Sequence, residues 1–200
     1  ILLPKIMEFY QKNELSSFHV LFSNQEEKLF FEEQGLKERH SFQYHWENKG
    51  FESFNDFLKS LKKNRRKSIK RERRAVSHLL YRELNGNQIT TEDLETFYTC
   101  YLGTIDKKLS QAYLSLDFFR ELFKNMPDNT ILLQALDPED HSILGNALYL
   151  KSDRRLYGRY WGCTKHVEFL HFELCLYRGL EIAIREDLDI FEAGAQGEHK

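Results

Sequence analysis

Two polar residues, His171 and Glu173, stand near the start of a largely apolar stretch that predicts a helix over 169–186. Together they can handle a proton. The carboxylate accepts one or holds an ammonium group, and the imidazole shuttles it. The plainer reading is a glutamate complementing the helix dipole and a histidine satisfied in the core. On the stretch 156–162, strand alternation puts Tyr157, Arg159 and Trp161 on one face and Leu156, Gly158 and Tyr160 on the other. An arginine between two aromatics can grip a carboxylate or phosphate and stack; an edge salt bridge is the alternative. Glu192, Gln196, Glu198, His199 and Lys200 follow a strand end on a glycine-hinged loop, a common ligand position in α/β sheets. His45, Trp46 and Asn48, far away in sequence, are candidates for the same cleft or for an aromatic core strand.

A different chemistry is written into residues 62–74, KKNRRKSIKRERR. They carry nine basic residues against the single acid Glu72. The rest of the chain keeps 20 basic and 30 acidic residues, so a formal net charge of −2 hides one concentrated positive element. Arg65, Arg66, Lys67, Lys70, Arg73 and Arg74 are candidates for holding phosphates of a polyanion, such as tRNA, a nucleotide or a pyrophosphate-linked precursor. A solvated helix that aids solubility is the bland alternative. As a string the segment also matches a nuclear localisation signal, which ranks low for a helix inside a folded chain.

Other chemistries find little support. Cys163, His166 and His171 are ligand types, but their spacing matches no zinc pattern, and no metal is expected. The phosphate-loop, nucleophile-elbow and zinc-protease motifs are absent. Three cysteines form no CxxC pair, which fits a reduced, cytoplasmic setting. The apolar runs are too short to span a bilayer. With 41% hydrophobic and 30% charged residues, the chain is of globular rather than disordered composition.

The elements that must position these residues follow from periodicity and punctuation. Residues 5–15 predict a helix, 17–22 a strand, and Asn24 starts a second helix closed by Gly35. Residues 36–46 predict a strand with Phe42, Tyr44 and Trp46 on one face. A capped helix starts at Ser53 and continues through the basic stretch to about residue 77, with Ile69, Ala75 and Val76 marking a narrow inner stripe. Then come a strand over 79–84, helices over 90–105 and 116–126, and strands over 131–136, 143–150 and 156–162. The helix over 169–186 and a strand over 188–193 close the series. This order is that of an α/β (α+β layered) domain with a three-stranded meander.

Residues 6–27 and 181–199 share a short echo of helix, turn, strand and acidic loop, which suggests a duplicated domain. Residues 1–50 would then close a first repeat, 51–77 form a basic connector, and 78–200 open a second repeat, truncated at Lys200. The chain starts without Met and ends in a polar loop, as expected of a fragment.

From residue 78 the order resembles the N-acetyltransferase (GNAT) fold, with TILLQALDPEDHSILGNALYL similar to its central hairpin. Five stretches resemble more specifically the bacterial peptidoglycan biosynthesis/recognition family, predicted N-acyltransferases related to the Fem aminoacyl transferases. They are FQYHWENKGFESFNDFL (42–58), RRKSIKRERRAV (65–76), LYGRYWGC (156–163), FLHFELCLYRGLEIAI (169–184) and EAGAQGEHK (192–200). The resemblance implies tandem acyltransferase-type domains and transfer of an activated acyl or aminoacyl group to an amine acceptor, such as a cell-wall precursor. Acyl-CoA and aminoacyl-tRNA are the donors it implies. Where CoA-dependent members carry a glycine-rich pyrophosphate loop, this chain reads Gly162–Leu170 without the glycine pair, and the basic helix suits a tRNA donor better. On this expectation Glu173 and His171 assist proton transfer, and Arg159 orients an anionic substrate. A non-catalytic recognition module and an acyl-CoA enzyme with a divergent loop are the alternatives.

Overall fold

The computed structural model describes residues 2–21, 23–40, 43–107 and 111–194. The chain divides into two compact units, residues 1–42 and 43–200.

The first unit holds α1 (Leu2–Lys12) and α2 (Gln25–Glu33). Asn24 and Glu27 form a reciprocal capping box, each side chain accepting the other's backbone N–H at 2.9 Å. Gly35, at φ +82°, closes α2 in the left-handed conformation that glycine takes without strain. Residues 17–21 do not form the strand expected there. Alternation makes a strand only where a neighbour completes the ladder, and no strand is described in this unit. Phe18 packs on Tyr10 instead.

The second unit is built on a six-stranded sheet: β1 (His45–Glu47), β2 (Leu80–Asn85), β3 (Thr130–Leu136), β4 (Ile143–Lys151), β5 (Arg155–Cys163) and β6 (Ile190–Glu192). Its order is β1-β6-β5-β4-β3-β2. β2 to β5 run antiparallel, and β6 returns parallel to β5 after a helical crossover. Of the strand expected over 36–46, the last two residues are the ones that pair among the described residues; Tyr44 is exposed, and Ser41 and Phe42 lie outside the described residues. β1 pairs with β6, and residues 43–50 fall within this second unit.

Both faces of the central strands are covered, which is why β3 reads as a nearly continuous apolar run. Leu132 and Leu148 face α5 (Thr91–Lys107) and α6 (Leu116–Asn125), packing with Leu94, Phe97, Tyr101, Phe119 and Phe123. Ile131, Leu133, Ala147, Tyr149 and Leu156 face the other way, onto the crossover helix. That helix runs as α7 (Leu170–Phe172), widens into a π-turn over Glu173–Tyr177, and resumes as α8 (Arg178–Arg185). The mixed α/β arrangement of meander, crossover helix and parallel strand is the GNAT-like fold expected from the sequence.

The helix expected from Ser53 to residue 77 is two helices, α3 (Phe54–Ser60) and α4 (Lys63–Ala75). A continuous helix over 54–75 would run about 33 Å, past the roughly 24 Å crossover helix it packs on. Extended backbone at Leu61 and Lys62 turns the axis. Leu58 of α3 and Ile69 of α4 then both reach Leu176 and Tyr177.

A row of polar side chains crosses the sheet beneath α5. Arg82 Nε donates to Gln134 Oε1 at 2.5 Å, Gln134 Nε2 to Asn146 Oδ1 at 2.8 Å, and Asn146 Nδ2 to Cys100 Sγ at 3.5 Å. Arg82 also pairs with the buried Asp93, which caps α5 through Thr90. At the β5 end of this row α5 lies so close that a Cβ on Gly162 would stand 2.2 Å from the Cys100 carbonyl oxygen. Gly162→Ala must therefore push α5 off the sheet. A loss of about 1–3 kcal/mol is expected, read as a lower urea midpoint at unchanged m-value.

Candidate active site

β5 carries the feature that organises its surroundings. Leu148 of β4 pairs with Tyr160 and Tyr149 with Gly158, so Arg159 is an extra, bulged residue without a partner on β4. The bulge resets the alternation and corrects the expectation that Tyr157, Arg159 and Trp161 share a face. Tyr157 lies in register with Leu150, on the α5/α6 side of the sheet. Tyr160 shares that side, packed on Tyr101 and Phe119. Trp161 turns to the opposite side, 4.8 Å from the His171 ring. Arg159 is exposed at the bulge, its guanidinium 5.0 Å from the centre of the Tyr157 ring.

Tyr157 stands in one row with Glu192 of β6 and His45 of β1. Glu192 is buried, and its two oxygens meet different partners. Arg155 Nη1 donates to Oε1 at 2.9 Å, and His45 Nε2 stands 3.9 Å from Oε2. Arg155 and His45 stay partly exposed. His45, Glu192 and Tyr157, three of the residues singled out in the sequence, thus share one row, with Arg155 bonded to Glu192 and Arg159 stacked on Tyr157. Arg155 itself was missed, because its role depends on the parallel register of β5 and β6.

Trp46 and Asn48 have different work. Trp46 faces the other side of the sheet, packed on Phe51 and Phe57. Asn48 accepts from the N–H groups of Gly50 and Phe51 at 3.1 and 3.0 Å and so shapes the turn after β1. Both hold the short strand that presents His45. Gln196, Glu198 and His199 lie outside the described residues.

The expectation that Glu173 serves as a proton acceptor meets a physical obstacle. Its carboxylate is almost wholly buried in the π-turn. Arg73 of α4 takes both oxygens, at 3.0 Å each, and Arg178 Nε stands 3.0 Å from Oε1, out of line for a hydrogen bond. With both oxygens bonded to Arg73 and the side chain enclosed, the carboxylate offers no open face to a substrate amine. Arg73 also grips Glu181, at 2.7 and 3.0 Å, and lies over the Phe54 ring. Burial works against the Arg73 charge, but hydrogen bonds to Glu181 and Glu173 outweigh it and raise the pKa further. Arg178 stacks on Tyr81, whose hydroxyl pKa is pushed up by burial and the Glu173 charge.

The same contacts remove Arg73 from the set of phosphate-binding candidates, since it points inward. Glu72 also turns in, accepting from Ser68 at 2.7 Å and from Tyr177. Burial pushes its pKa up, but these bonds and the charges of Arg65 and Arg71 prevail and lower it. With these two turned inward, Lys63, Lys67, Lys70, Arg71 and Arg74 form one exposed stripe at i, i+4, i+7, i+8 and i+11. Arg65 is exposed beside the stripe, and Arg66 is half-buried with Nη1 donating to the Lys59 carbonyl at 3.4 Å. Among the described residues, none of the five stripe cations forms an ion pair.

Among the described residues no group of three or more His, Cys, Asp and Glu side chains is arranged to hold a metal ion. No described helix is long and apolar enough to cross a membrane.

A family model described as FemAB-like, peptidoglycan biosynthesis/recognition, matches residues 1–200. A conserved protein of unknown function from Bacteroides thetaiotaomicron shares the fold, with a TM-score of 0.51 at 15% identity over 99% of this chain and 67% of its own. The C-terminal domain of a protein assigned as a lysylphosphatidylglycerol synthetase from Agrobacterium fabrum aligns with a TM-score of 0.47 at 11% identity. That alignment covers 69% of this chain and 44% of the other. A functionally unknown conserved protein from Staphylococcus epidermidis aligns with a TM-score of 0.42 at 14% identity, over 98% of this chain and 71% of its own. A search of curated proteins finds no match.

Proposed function

We propose, from the premise that this chain belongs to the FemAB-like family of peptidoglycan biosynthesis/recognition proteins, that it forms part of a cytoplasmic N-acyltransferase. It would join an activated acyl or aminoacyl group to an amine on a cell-wall precursor. The observation that supports this reading is the state of β5. Its register with β6 ends at Tyr157↔Glu192, and the bulge follows two residues later. Among the described residues, β4 is the strand that continues beside β5 past Tyr157, and Ala193, just after β6, still lies against Gly158. A strand edge with no described strand beside it can pair with a substrate carbonyl or amide; on this stretch the Trp161 carbonyl accepts from Thr104 at 2.9 Å and the Gly158 carbonyl from Arg159 Nη1 at 3.5 Å. In the reaction the amine nitrogen attacks the acyl carbonyl, the C–O or C–S bond to the donor breaks, and one proton passes from the amine to the leaving group.

Aminoacyl-tRNA and acyl-CoA are the two donors considered, and both carry phosphates. The unpaired stripe on α4 supports a phosphate-bearing ligand. It also supports the second reading, a non-catalytic module that recognises a polyanion. Melting-temperature shifts of the full-length protein with acetyl-CoA, aminoacyl-tRNA and a UDP-linked wall precursor separate these readings, because a ligand of the folded state raises the midpoint. Stabilisation by a donor and by the precursor is the expected result. Stabilisation by every polyanion, free heparin included, with none from the precursor would favour the recognition module.

A further inference from the structure

We infer that His45 is the proton acceptor of the transfer step, with Glu192 as its positioning residue and Arg155 as the clamp on Glu192. The assignment rests on the acyl-transfer reading above. It begins with a process of elimination on the page. Glu173, the carboxylate the sequence favours, is enclosed by Arg73 and Arg178. His171 lies beside Trp161 on the side of the sheet away from Tyr157 and Glu192. Glu192 itself is buried and bonded to Arg155. The imidazole of His45 is the partly exposed group of suitable type in the row that contains Tyr157.

The sheet builds this arrangement. β1 has only three residues, and Trp46 anchors it in the core cluster. Period-two alternation then turns His45 to the opposite side. Register places Glu192 beside it and Tyr157 beyond, so His45 lies about 10 Å across the strands from Tyr157. That span suits one small acceptor lying between the imidazole and Tyr157. Nε2 stands 3.9 Å from Glu192 Oε2, beyond direct hydrogen-bond reach in this structure; a small turn of the ring that closes this gap would hold the proton on Nε2 and leave Nδ1 to accept. Arg155 fixes the Glu192 side chain through its 2.9 Å bond to Oε1, and the carboxylate steadies the imidazolium that forms. Glu192, Arg155, Tyr157 and Glu47 share the His45 side of the sheet, with Arg159 at the bulge.

The step balances without another reactant. The amine attacks the acyl carbon and a C–N bond forms. His45 Nδ1 takes one amine proton. The C–O or C–S bond breaks, and the departing alkoxide or thiolate recovers that proton from the imidazolium.

Two readouts on the full-length protein test the assignment. The first is cleavage of p-nitrophenyl acetate, a probe of imidazole nucleophilicity that needs no knowledge of the natural acceptor. His45→Ala is expected to remove most of the rate at an unchanged melting temperature, and Glu192→Gln to lower the rate about tenfold and alter its pH profile, with a lower melting temperature from the weakened Arg155 pair but a folded protein at the assay temperature. Equal rates in His45→Ala and the parent would overturn the assignment. The second is transfer from the donor identified by the melting screen. His45→Ala is expected to lower kcat at least 100-fold with KM within threefold, in the range of general-base catalysis, while Glu192→Asp recovers part of what Glu192→Gln loses. Transfer that persists undiminished in His45→Ala overturns the role of His45 and leaves the acyltransferase reading intact. His45-dependent ester cleavage without transfer from any donor instead removes the acyltransferase reading, and the proton-acceptor role with it.

Discussion

Arg73→Met is expected to destabilise the protein by about 3 kcal/mol, more than removing any exposed arginine of α4. The expectation follows from what the substitution leaves behind. Glu173 has a side chain only 3% exposed, and Arg73 supplies two of its hydrogen bonds. Without Arg73 the carboxylate keeps only the misaligned Arg178, and breaking one side of a buried pair costs about 3–5 kcal/mol. Arg73 is itself 23% exposed, so the lower end of that range applies. Arg73→Lys should fall between, because an ammonium group cannot span both Glu173 oxygens. Adding Glu173→Leu to Arg73→Met should recover part of the loss by removing the stranded charge. Urea midpoints at constant m-value measure all three. A loss below about 0.5 kcal/mol for Arg73→Met would show that Arg178 or water holds Glu173 unaided. The network also fastens α4 to the crossover helix, so the cationic stripe is carried on a rigid support.

Removing three stripe cations, as Lys67→Ala/Lys70→Ala/Arg74→Ala, is expected to weaken binding of a single-stranded polyanion such as poly(U) by at least tenfold. These residues are exposed and make no described ion pair, so their loss leaves stability nearly unchanged. Counterion release gives the quantitative form. Five cations on single-stranded phosphates imply a slope of log K against log salt of about −3.5, and losing three should reduce it by about 2. Arg73→Met is the contrasting control, because its side chain points inward and its loss should leave the slope unaltered. Unchanged affinity and slope in the triple variant would show that the stripe is only a solvated helix face.

The fold from residue 78 onward was largely legible in the sequence. Thr90 marks a helix start as a capping residue, and the apolar runs of β3 and β4 stand out on either side of the turn at Asp137–Asp140. What escaped depended on partners distant in sequence. Residues 17–21 have strand composition but no described strand beside them. The α3–α4 break leaves no Gly or Pro to signal it. The bulge at Arg159 adds one residue to an otherwise regular strand, and nothing local announces it, yet it reverses which aromatic shares a face with Tyr157. Glu173 was conspicuous as a charge in an apolar helix. Its partner Arg73, 100 residues earlier, looked like one more cation in a basic run. His45 and Glu192 were each visible as reactive types, but their shared row required the β1–β6 register.

The central claim is that this protein moves an acyl group onto an amine. Mass spectrometry of a UDP-linked wall precursor, incubated with the full-length protein and isotopically labelled aminoacyl-tRNA or acetyl-CoA, tests it most directly. The account predicts a precursor heavier by one labelled acyl or aminoacyl group, formed through an amide and abolished when the acceptor amine is acetylated beforehand. A precursor that binds the protein yet returns unlabelled with both donors would contradict it, and would leave a protein that recognises its ligand without changing it.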